Sequence, residues 1–272
     1  MKLRIMSSNV WGNCPADRPL ADRDDKMAVV YFRYLPDSIG LQECSKKLRD
    51  ESPNLFALIK DVYEEVPVTP VNDRNNNFTP IVYRRDKLTL EDAGWLGFAG
   101  LNDQGSKSIT WALFCEKESG ERFIHMNMHY YWTPDDPGRE ARISNSHEML
   151  ALRDALVAKY PYPVVLTGDF NCCTDEPPIQ AILGAGLRET RFCAEEPVIS
   201  LRSFHDYPDI DDSDPDHITY PVGHMPDEEI DNSIDHIFVG EGIAVKNYRT
   251  VVDAEALQAS DHCPLFVDLV LA

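Results

Sequence analysis

Short apolar runs, many of them alternating with polar residues, recur along most of the chain and predict more strands than helices. Most are bounded by Gly, Pro, Asn, Asp or Ser, the residue types that favour turns. The predicted strands are residues 2–10, 38–43, 55–62, 80–84, a strand at Trp95, 109–114, 122–128, 163–166, 233–239, 245–252 and 265–271. The last two form a hairpin-like pair, and Ser119-Gly120 supplies a hairpin turn.

Helical periodicity is confined to a few segments. The clearest helix is residues 138–160, because Ile143, Leu150 and Val157 recur there at intervals of seven. The other predicted helices are residues 17–35, a short one at 46–51 and residues 177–183. Since strands outnumber helices and several strands adjoin, we expect an α/β protein with two mixed sheets packed face to face and helices outside.

Composition adds the expectation of one large domain over residues 1–272. Hydrophobic residues make up 43% of the chain and charged residues 26%, values typical of a soluble globular protein with a large core. No Gly/Ser/Pro-rich linker divides the sequence. No apolar stretch is long enough to cross a bilayer, and the first residues read as a strand rather than a secretory signal. No feature indicates an obligate protein partner.

The net charge of −20 bears on the substrate, because 46 acidic residues face only 26 basic ones. Proteins that hold a nucleic-acid backbone usually present a basic face. Here the only basic clusters are Lys46-Lys47 and Arg84-Arg85. Long nucleic acid is therefore disfavoured as a substrate, although a local basic cleft stays compatible with an acidic protein.

Cysteine usage predicts a reducing, cytoplasmic setting. The seven cysteines include no Cys-x-x-Cys pair, so neither a disulfide framework nor a structural zinc site is indicated. Six aspartates lie between Asp206 and Asp216, but the glycine and terminal glutamate of a helix-loop-helix calcium site are missing. A solvated acidic loop is the better interpretation.

Polar residues that can carry chemistry recur at the ends of the predicted strands. Asp169 and Asn171 directly follow the apolar run at 163–166, at the carboxyl end of a strand, where α/β folds commonly place their sites. The other strand-end residues of this kind are Asn9, Glu43, His129, Asp261 and His262. Oxygen ligands without thiolates suit Mg²⁺ or Mn²⁺, and histidines can transfer protons near neutral pH.

The ordered set of motifs resembles the endonuclease/exonuclease/phosphatase family, whose members share the DNase I-like fold. The blocks that carry the resemblance are Ser7-Ser8-Asn9-Val10, Gly40-Leu41-Gln42-Glu43, Asn127-Met128-His129, Thr167-Gly168-Asp169-Phe170-Asn171, Ser233-Ile234-Asp235-His236 and Ser260-Asp261-His262-Cys263-Pro264-Leu265. They span nearly the whole chain. The resemblance implies a four-layer α/β sandwich, in agreement with the strand-rich pattern.

The resemblance also implies roles for individual residues. Glu43 matches the principal magnesium-binding carboxylate, with Asn9 and Asp261 completing or supporting that site. Asp169 and Asn171 match the pair that orients the attacking water and the phosphate, or that holds a second metal. Three further catalytic positions are matched by His129, by His262 beside the scissile phosphate, and by Asp235, which orients His262.

Four further residues are candidate substrate contacts. Arg142, at the start of the long helix, resembles a family position, and Thr219 stands in a Thr-aromatic segment that matches the family poorly. Trp132 follows the His129 motif in an aromatic cluster that either stacks on a base or sugar or fills a surface groove. Asn77 belongs to a polar loop that either borders the pocket or is solvated surface.

These observations predict a hydrolase that uses Mg²⁺ or Mn²⁺ to cleave a phosphoester, on a small phosphorylated substrate rather than a long polymer. Two alternatives stay open. One is a DNase or RNase proper, which the fold suits but the charge does not. The other is a catalytically silent binding module, against which the intact set of predicted site residues argues.

Overall fold

The strands of the protein form a seven-stranded and a six-stranded sheet. The computed structural model describes residues 1–14, 19–51, 54–200, 202–205 and 233–271, so the acidic segment 206–216 and Thr219 lie outside the described residues. The strands are β1 (Lys2–Asn9), β2 (Ser38–Gln42), β3 (Tyr63–Glu65), β4 (Ile81–Arg84), β5 (Leu88–Gly97), β6 (Ser108–Glu116), β7 (Arg122–His129), β8 (Val164–Asp169), β9 (Arg188–Glu189), β10 (Val198–Ile199), β11 (Asp235–Val239), β12 (Ile243–Thr250) and β13 (Leu265–Leu271). The helices are α1 (Asp24–Tyr34), α2 (Lys46–Asp50), α3 (Leu55–Ile59), α4 (Asp136–Lys159), α5 (Pro177–Gly184), α6 (Thr190–Cys193) and α7 (Ala254–Ala259).

Both sheets are mixed and mainly antiparallel. The larger has the order β10-β12-β13-β1-β2-β4-β3, and the smaller has the order β5-β6-β7-β8-β11-β9. The parallel pairs are β1–β2, β7–β8 and β10–β12. Because β1–β2 and β7–β8 are parallel, the carboxyl ends of these four strands lie at the same end of their sheets.

Strand alternation generates four layers. In β1, Ile5 packs between the two sheets, whereas Met6 faces the outer layer that contains Tyr31 of α1. In β7, Phe123 packs between the sheets and Met126 contacts the layer that contains Met149 of α4. The predicted α/β sandwich, with two sheets face to face and helices outside, is therefore confirmed.

Toward one end of the sandwich the inter-sheet core becomes polar. Asn127 of β7 lies two residues before His129 and therefore on the same face of its strand. Its Oδ1 accepts hydrogen bonds from Gln42 Nε2 at 2.7 Å and Thr167 Oγ1 at 3.0 Å. A Cβ atom on Gly40 would lie 2.1 Å from Thr167 Oγ1, so the two sheets approach too closely here for any side chain. The hydrogen bonds of this polar layer join the two sheets directly beneath the strand-end residues.

The structure corrects the expectation of a strand at 55–62. Residues Leu55–Ile59 form helix α3, which the side chain of Asn54 caps by accepting a hydrogen bond from the Ala57 amide at 2.8 Å. Leu55 and Ile59 are four residues apart and bury one helical face against α1. Short apolar runs fit both a strand and a buried helix, and the capping residue decides between them here.

Two other predicted boundaries also change. The helix expected at 17–35 begins at Asp24, after a separate 3₁₀ turn at Leu20–Asp22. The last two strands pair antiparallel as expected, but helix α7 lies between them, so they are not joined by a tight hairpin turn. The helices expected at 46–51, 138–160 and 177–183 match α2, α4 and α5.

The buried His125 makes folding stability sensitive to acid. Its Nδ1 and Nε2 each lie 2.8 Å from a hydroxyl, those of Ser38 and Thr167, and burial lowers its pKa to about 3. The unfolded chain therefore binds a proton at this residue between about pH 6.5 and pH 3 that the folded chain does not bind, so stability falls as pH falls through that window.

We expect His125→Gln to flatten this pH dependence. Between pH 7 and pH 5 the wild type should lose about 2 kcal/mol of unfolding free energy through His125, a loss that the variant lacks. Urea unfolding at both pH values measures the difference, and His147→Gln on the exposed face of α4 is the matched control. If His125→Gln keeps the wild-type pH dependence of the unfolding free energy, or if His147→Gln loses it equally, His125 is not the source of that dependence.

Candidate active site cleft

The predicted site residues meet because the strand registers bring their ends together. Asn9 at the end of β1 pairs in register with Gln42 at the end of β2, one residue before Glu43. Asp169 at the end of β8 lies opposite His129 of β7 on one side and Asp235 of β11 on the other. The strand ends of the two sheets therefore place carboxylates, an amide and an imidazole next to one another.

Asp169 is the centre of this arrangement and is 1% exposed. Its Oδ2 accepts a hydrogen bond from Asn9 Nδ2 at 2.9 Å and lies 3.3 Å from His129 Nε2. Its Oδ1 accepts from the backbone amide of Asn171 at 2.9 Å. Asn171 in turn donates from Nδ2 to the Tyr130 carbonyl at 3.1 Å, which fixes the turn after β8. Asn171 has φ +50°, a conformation that Asn tolerates better than most residues.

His262 and Asp235 form a buried ion pair, with His262 Nδ1 2.8 Å from Asp235 Oδ2. Burial alone would lower the pKa of His262, but Asp235, Asp169 and Asp261 together raise it well above its usual value. The opposite ring nitrogen, Nε2, lies 3.9 Å from Asp169 Oδ2 and from Asp261 Oδ1. The imidazolium form is thus favoured, and its Nε2–H lies among the other site residues.

Buried carboxylates accumulate negative charge at this edge. Burial, reinforced by Asp235, raises the pKa of Asp169 to about 6. Burial also raises the pKa of Asp261 to about 7, with Glu43 adding to the effect. A bound divalent cation is the usual means of offsetting such a concentration of charge.

The donor atoms of this cluster suit such a cation. One oxygen or nitrogen from each of Glu43, His129 and Asp169 lies within 4.8 Å of the others, and a second group of this kind comprises Asp169, Asp235 and His262. The oxygen-rich donor set fits Mg²⁺ or Mn²⁺. Asp261 lines the same cleft but belongs to neither group.

Glu43 occupies a strained backbone position at the end of β2. Its φ is +61°, in the left-handed region that non-glycine residues rarely adopt. Its carboxylate oxygen Oε1 accepts a hydrogen bond from Asn9 Nδ2 at 3.2 Å, and the following amide, of Cys44, donates to the Phe78 carbonyl at 3.0 Å. Retained strain of this kind is concentrated at functional sites.

Lys107 is a site residue that sequence reasoning missed. It immediately precedes β6, is only 5% exposed, and places Nζ 2.8 Å from His129 Nε2. Burial, with the positive charges of Lys107 and His262, lowers the pKa of His129 well below its usual value, so His129 is held neutral. No sequence motif marks this lysine, which simply precedes a strand. Its place in the site becomes evident only from its position beside His129 in the fold.

The site opens into a cleft of about 630 Å³. Its lining is both charged and aromatic. The lining residues include Trp11, Glu43, Arg74, Phe78, Asp103, Lys107, His129, Trp132, Asp169, Asn171, Phe204, Asp261 and His262. Asn9 and Asp235 are almost fully buried and do not line the cleft, so they act on it through Asp169, Glu43 and His262.

Trp132 lines this cleft with 56% of its surface exposed, as a substrate contact requires. Two other expected substrate contacts, Asn77 and Arg142, do not line the cleft. Asn77 is buried, and its side chain exchanges hydrogen bonds with Thr110 Oγ1. Arg142 is also buried and donates to the backbone carbonyls of Tyr131 and Thr133, so it shapes the loop that carries Trp132. Polar side chains of this kind complete a fold as readily as they bind a ligand, and the sequence pattern does not separate the two.

A family model described as the Endonuclease/Exonuclease/phosphatase family matches residues 6–262. The chain belongs to the endonuclease/exonuclease/phosphatase family. All the strand-end residues that carried the sequence resemblance lie within that match. No curated protein matches the chain significantly in sequence.

Solved structures share the fold at low sequence identity. An endonuclease/exonuclease/phosphatase from Bacteroides vulgatus is 23% identical, with 100% of both chains covered and a TM-score of 0.78. A mannosyl-6-phosphatase from Bacteroides thetaiotaomicron is 22% identical, with 99% of this chain and 100% of that chain covered and a TM-score of 0.78. TDP2 from D. rerio, solved with a single-strand DNA product, is 18% identical, with 99% of both chains covered and a TM-score of 0.67. At these identities the likeness establishes the fold.

Within the described part of this family member, no helix is both long and apolar enough to cross a membrane. The same ranges include all seven cysteines, and none of these is joined to another in a disulfide.

Proposed function

We propose that the protein is a divalent-metal-dependent hydrolase of phosphoesters, acting on a small phosphorylated substrate. The observation that carries this proposal is the convergence of Glu43, Asp169 and the Asp235–His262 pair on one cleft. Family membership supports it, because phosphoester hydrolysis is the chemistry of this family.

Glu43 would hold Mg²⁺ or Mn²⁺, with Asn9 and Asp261 supporting the site. When bound, the ion supplies Lewis-acid polarisation of a non-bridging phosphate oxygen. The oxygen donors and the excess of buried negative charge fit this role.

Side chains at the cleft supply the other catalytic functions. Asp169 and Asn171 orient a water molecule for in-line attack, and Asp169 accepts one of its protons. The new bond from the water oxygen to phosphorus forms as the ester P–O bond breaks, and the bonding pair stays on the leaving oxygen. The imidazolium of His262, held by Asp235, stabilises the charge that develops on the phosphoryl oxygens.

His129 completes the reaction as a neutral relay: one ring nitrogen gives its proton to the leaving oxygen while the other takes up the proton that Asp169 accepted, so the ring ends neutral as it began. It lies 3.3 Å from Asp169 Oδ2, which places it within reach of the proton that Asp169 accepts. The sum is an ester plus water giving an alcohol and a phosphate.

The acidic net charge favours a small substrate over a polymer, and the cleft is large enough for one. A volume of about 630 Å³ accommodates a phosphorylated sugar or nucleotide. The acidic net charge disfavours a long nucleic acid, whose binding depends on phosphate neutralisation. The absence of disulfides among the cysteines supports a reducing, cytoplasmic setting.

Removal of the metal should abolish turnover. We expect the wild-type protein to hydrolyse at least one member of a panel of sugar phosphates, nucleotides, aryl esters and short oligonucleotides with Mg²⁺ or Mn²⁺. Activity should fall at least a thousandfold with a chelator and return when metal is restored. Phosphate release and oligonucleotide gels measure both product classes.

Three results of the panel would contradict parts of this proposal. Turnover unaffected by chelator would contradict metal dependence. Salt-sensitive cleavage confined to the oligonucleotides would favour a nuclease instead. A panel with no turnover under any metal would favour a binding module.

A further inference from the structure

Lys107 is a buried cation whose environment is built to hold it at the cleft. Its backbone amide donates to the Asn102 carbonyl at 3.0 Å, and its carbonyl accepts from the Phe98 amide at 3.2 Å. Asn102 Nδ2 donates back to the Phe98 carbonyl at 2.6 Å, which closes the loop before β6. The lysine is therefore positioned by its backbone rather than by a carboxylate partner.

The ammonium group has unused hydrogen-bonding capacity. Its Nζ carries three donors, and within the described ranges its hydrogen-bond partner is the ring of His129, whose nitrogens lie 2.8 and 3.2 Å away and of which a neutral imidazole offers one as an acceptor. No carboxylate of the described residues forms an ion pair with it; burial lowers the pKa of Lys107, and Glu43, Asp169 and Asp103 only partly oppose that effect from farther away. Lysines are seldom this buried without a paired anion, so the structure calls for an anionic ligand.

The position of Lys107 identifies which anion it can reach. His129 Nε2 lies between the two groups, 2.8 Å from Lys107 Nζ and 3.3 Å from Asp169 Oδ2. Lys107 and Asp169 both line the cleft, so a phosphoryl group attacked by water held at Asp169 lies within reach of Lys107. The carboxylates of Glu43 and Asp261 line that cleft as well, so Lys107 joins the imidazolium of His262 as a second buried cation among them.

We propose that Lys107 is a catalytic residue that donates to a non-bridging oxygen of the scissile phosphoryl group and makes the site selective for phosphomonoesters over diesters. This inference rests on the proposed hydrolase function. A monoester is a dianion with three terminal oxygens at neutral pH, whereas a diester is a monoanion with two. The additional charge and the additional oxygen are what a second fixed cation recognises.

The reaction is hydrolysis of a monoester at phosphorus. The water oxygen bonds to phosphorus, the bond from phosphorus to the ester oxygen breaks, and its electron pair leaves with that oxygen. One water proton ends on the leaving oxygen through Asp169 and His129. The products are an alcohol and inorganic phosphate, which Lys107 also contacts.

The test compares two esters that share one leaving group, p-nitrophenyl phosphate and bis(p-nitrophenyl) phosphate, with Mg²⁺. The wild type should prefer the monoester in kcat/KM. Lys107→Met should lower kcat/KM for the monoester at least a hundredfold and for the diester less than tenfold, and Lys107→Arg should restore part of the loss. Arg74→Met removes a positive charge from the rim of the same cleft and should change both esters by the same small factor.

Binding of inorganic phosphate supplies a readout that does not depend on turnover. Calorimetry should show at least tenfold weaker phosphate binding to Lys107→Met than to the wild type. Equal losses on both esters, an Arg74→Met profile that discriminates as strongly, or unchanged phosphate affinity would overturn the assignment of Lys107. If Lys107→Met does not fold, Lys107→Gln and Lys107→Arg carry the same comparison.

Failure of the underlying function looks different. A wild type that hydrolyses neither ester nor any panel member with Mg²⁺ or Mn²⁺ overturns the proposed hydrolase, and the inference about Lys107 with it. An active wild type whose Lys107 variants lose both esters equally overturns the inference about Lys107 alone.

Discussion

The His262→Ala variant is expected to lose about three orders of magnitude in kcat while remaining folded. The imidazole carries a positive charge beside Asp169, and Asp235 holds its Nδ1 at 2.8 Å, so its removal leaves the developing phosphoryl charge unstabilised. The measurement is steady-state kinetics on the best panel substrate with Mg²⁺, accompanied by thermal unfolding.

A second variant separates chemistry from packing. The ring of His262 lies 5.0 Å from that of Phe204, so the alanine variant also removes a buried contact. Asp235→Asn preserves the shape of the site but not the charge, and it should lower kcat about 10- to 100-fold. Near-normal turnover in His262→Ala, or a full loss explained by unfolding in both variants, would contradict the role of the pair.

Substitution of Glu43 is expected to abolish activity without destabilising the fold. Glu43→Gln removes the carboxylate and should weaken Mn²⁺ binding at least tenfold and lower kcat about a thousandfold. Glu43→Gly should be just as inactive, yet no less stable than the wild type, because glycine adopts the φ of +61° without strain.

Mn²⁺ calorimetry and urea unfolding check these two expectations. The matched control is Glu65→Gln. Glu65 is a partly buried glutamate of β3, in the same sheet as β2; it pairs with Arg49 of helix α2 and does not line the cleft. Unchanged metal affinity in Glu43→Gln would contradict its assignment as a ligand. A marked loss of stability in Glu43→Gly would contradict the argument from backbone strain.

The sequence pattern predicted the sandwich because strand alternation and strand ends are local properties. In β7, for example, Phe123 and Met126 take opposite faces as a period of two requires. The site emerged for the same reason, since Asn9 and Asp169 each end a strand, and parallel pairing brings such ends together.

Other features were not predicted, one for a local reason and the others because they depend on tertiary contacts. The prediction of a strand at 55–62 was wrong because Leu55–Ile59 fits the periods of both a strand and a helix. The cap at Asn54 favours the helix. Lys107 belongs to no motif and gains meaning only from its 2.8 Å approach to His129. Arg142 looks equally suited to a phosphate or to backbone carbonyls until the loop it supports is seen.

Hydrolysis in ¹⁸O-enriched water tests the central claim most directly. The metal-free protein is mixed with the panel monoester that it hydrolyses fastest, the reaction is started with Mg²⁺, and the products are analysed by mass spectrometry. Water held at Asp169 and attacking phosphorus should place one ¹⁸O atom in the released phosphate and none in the alcohol, with no release before the metal is added. Label in the alcohol, or release that begins without metal, would contradict the account.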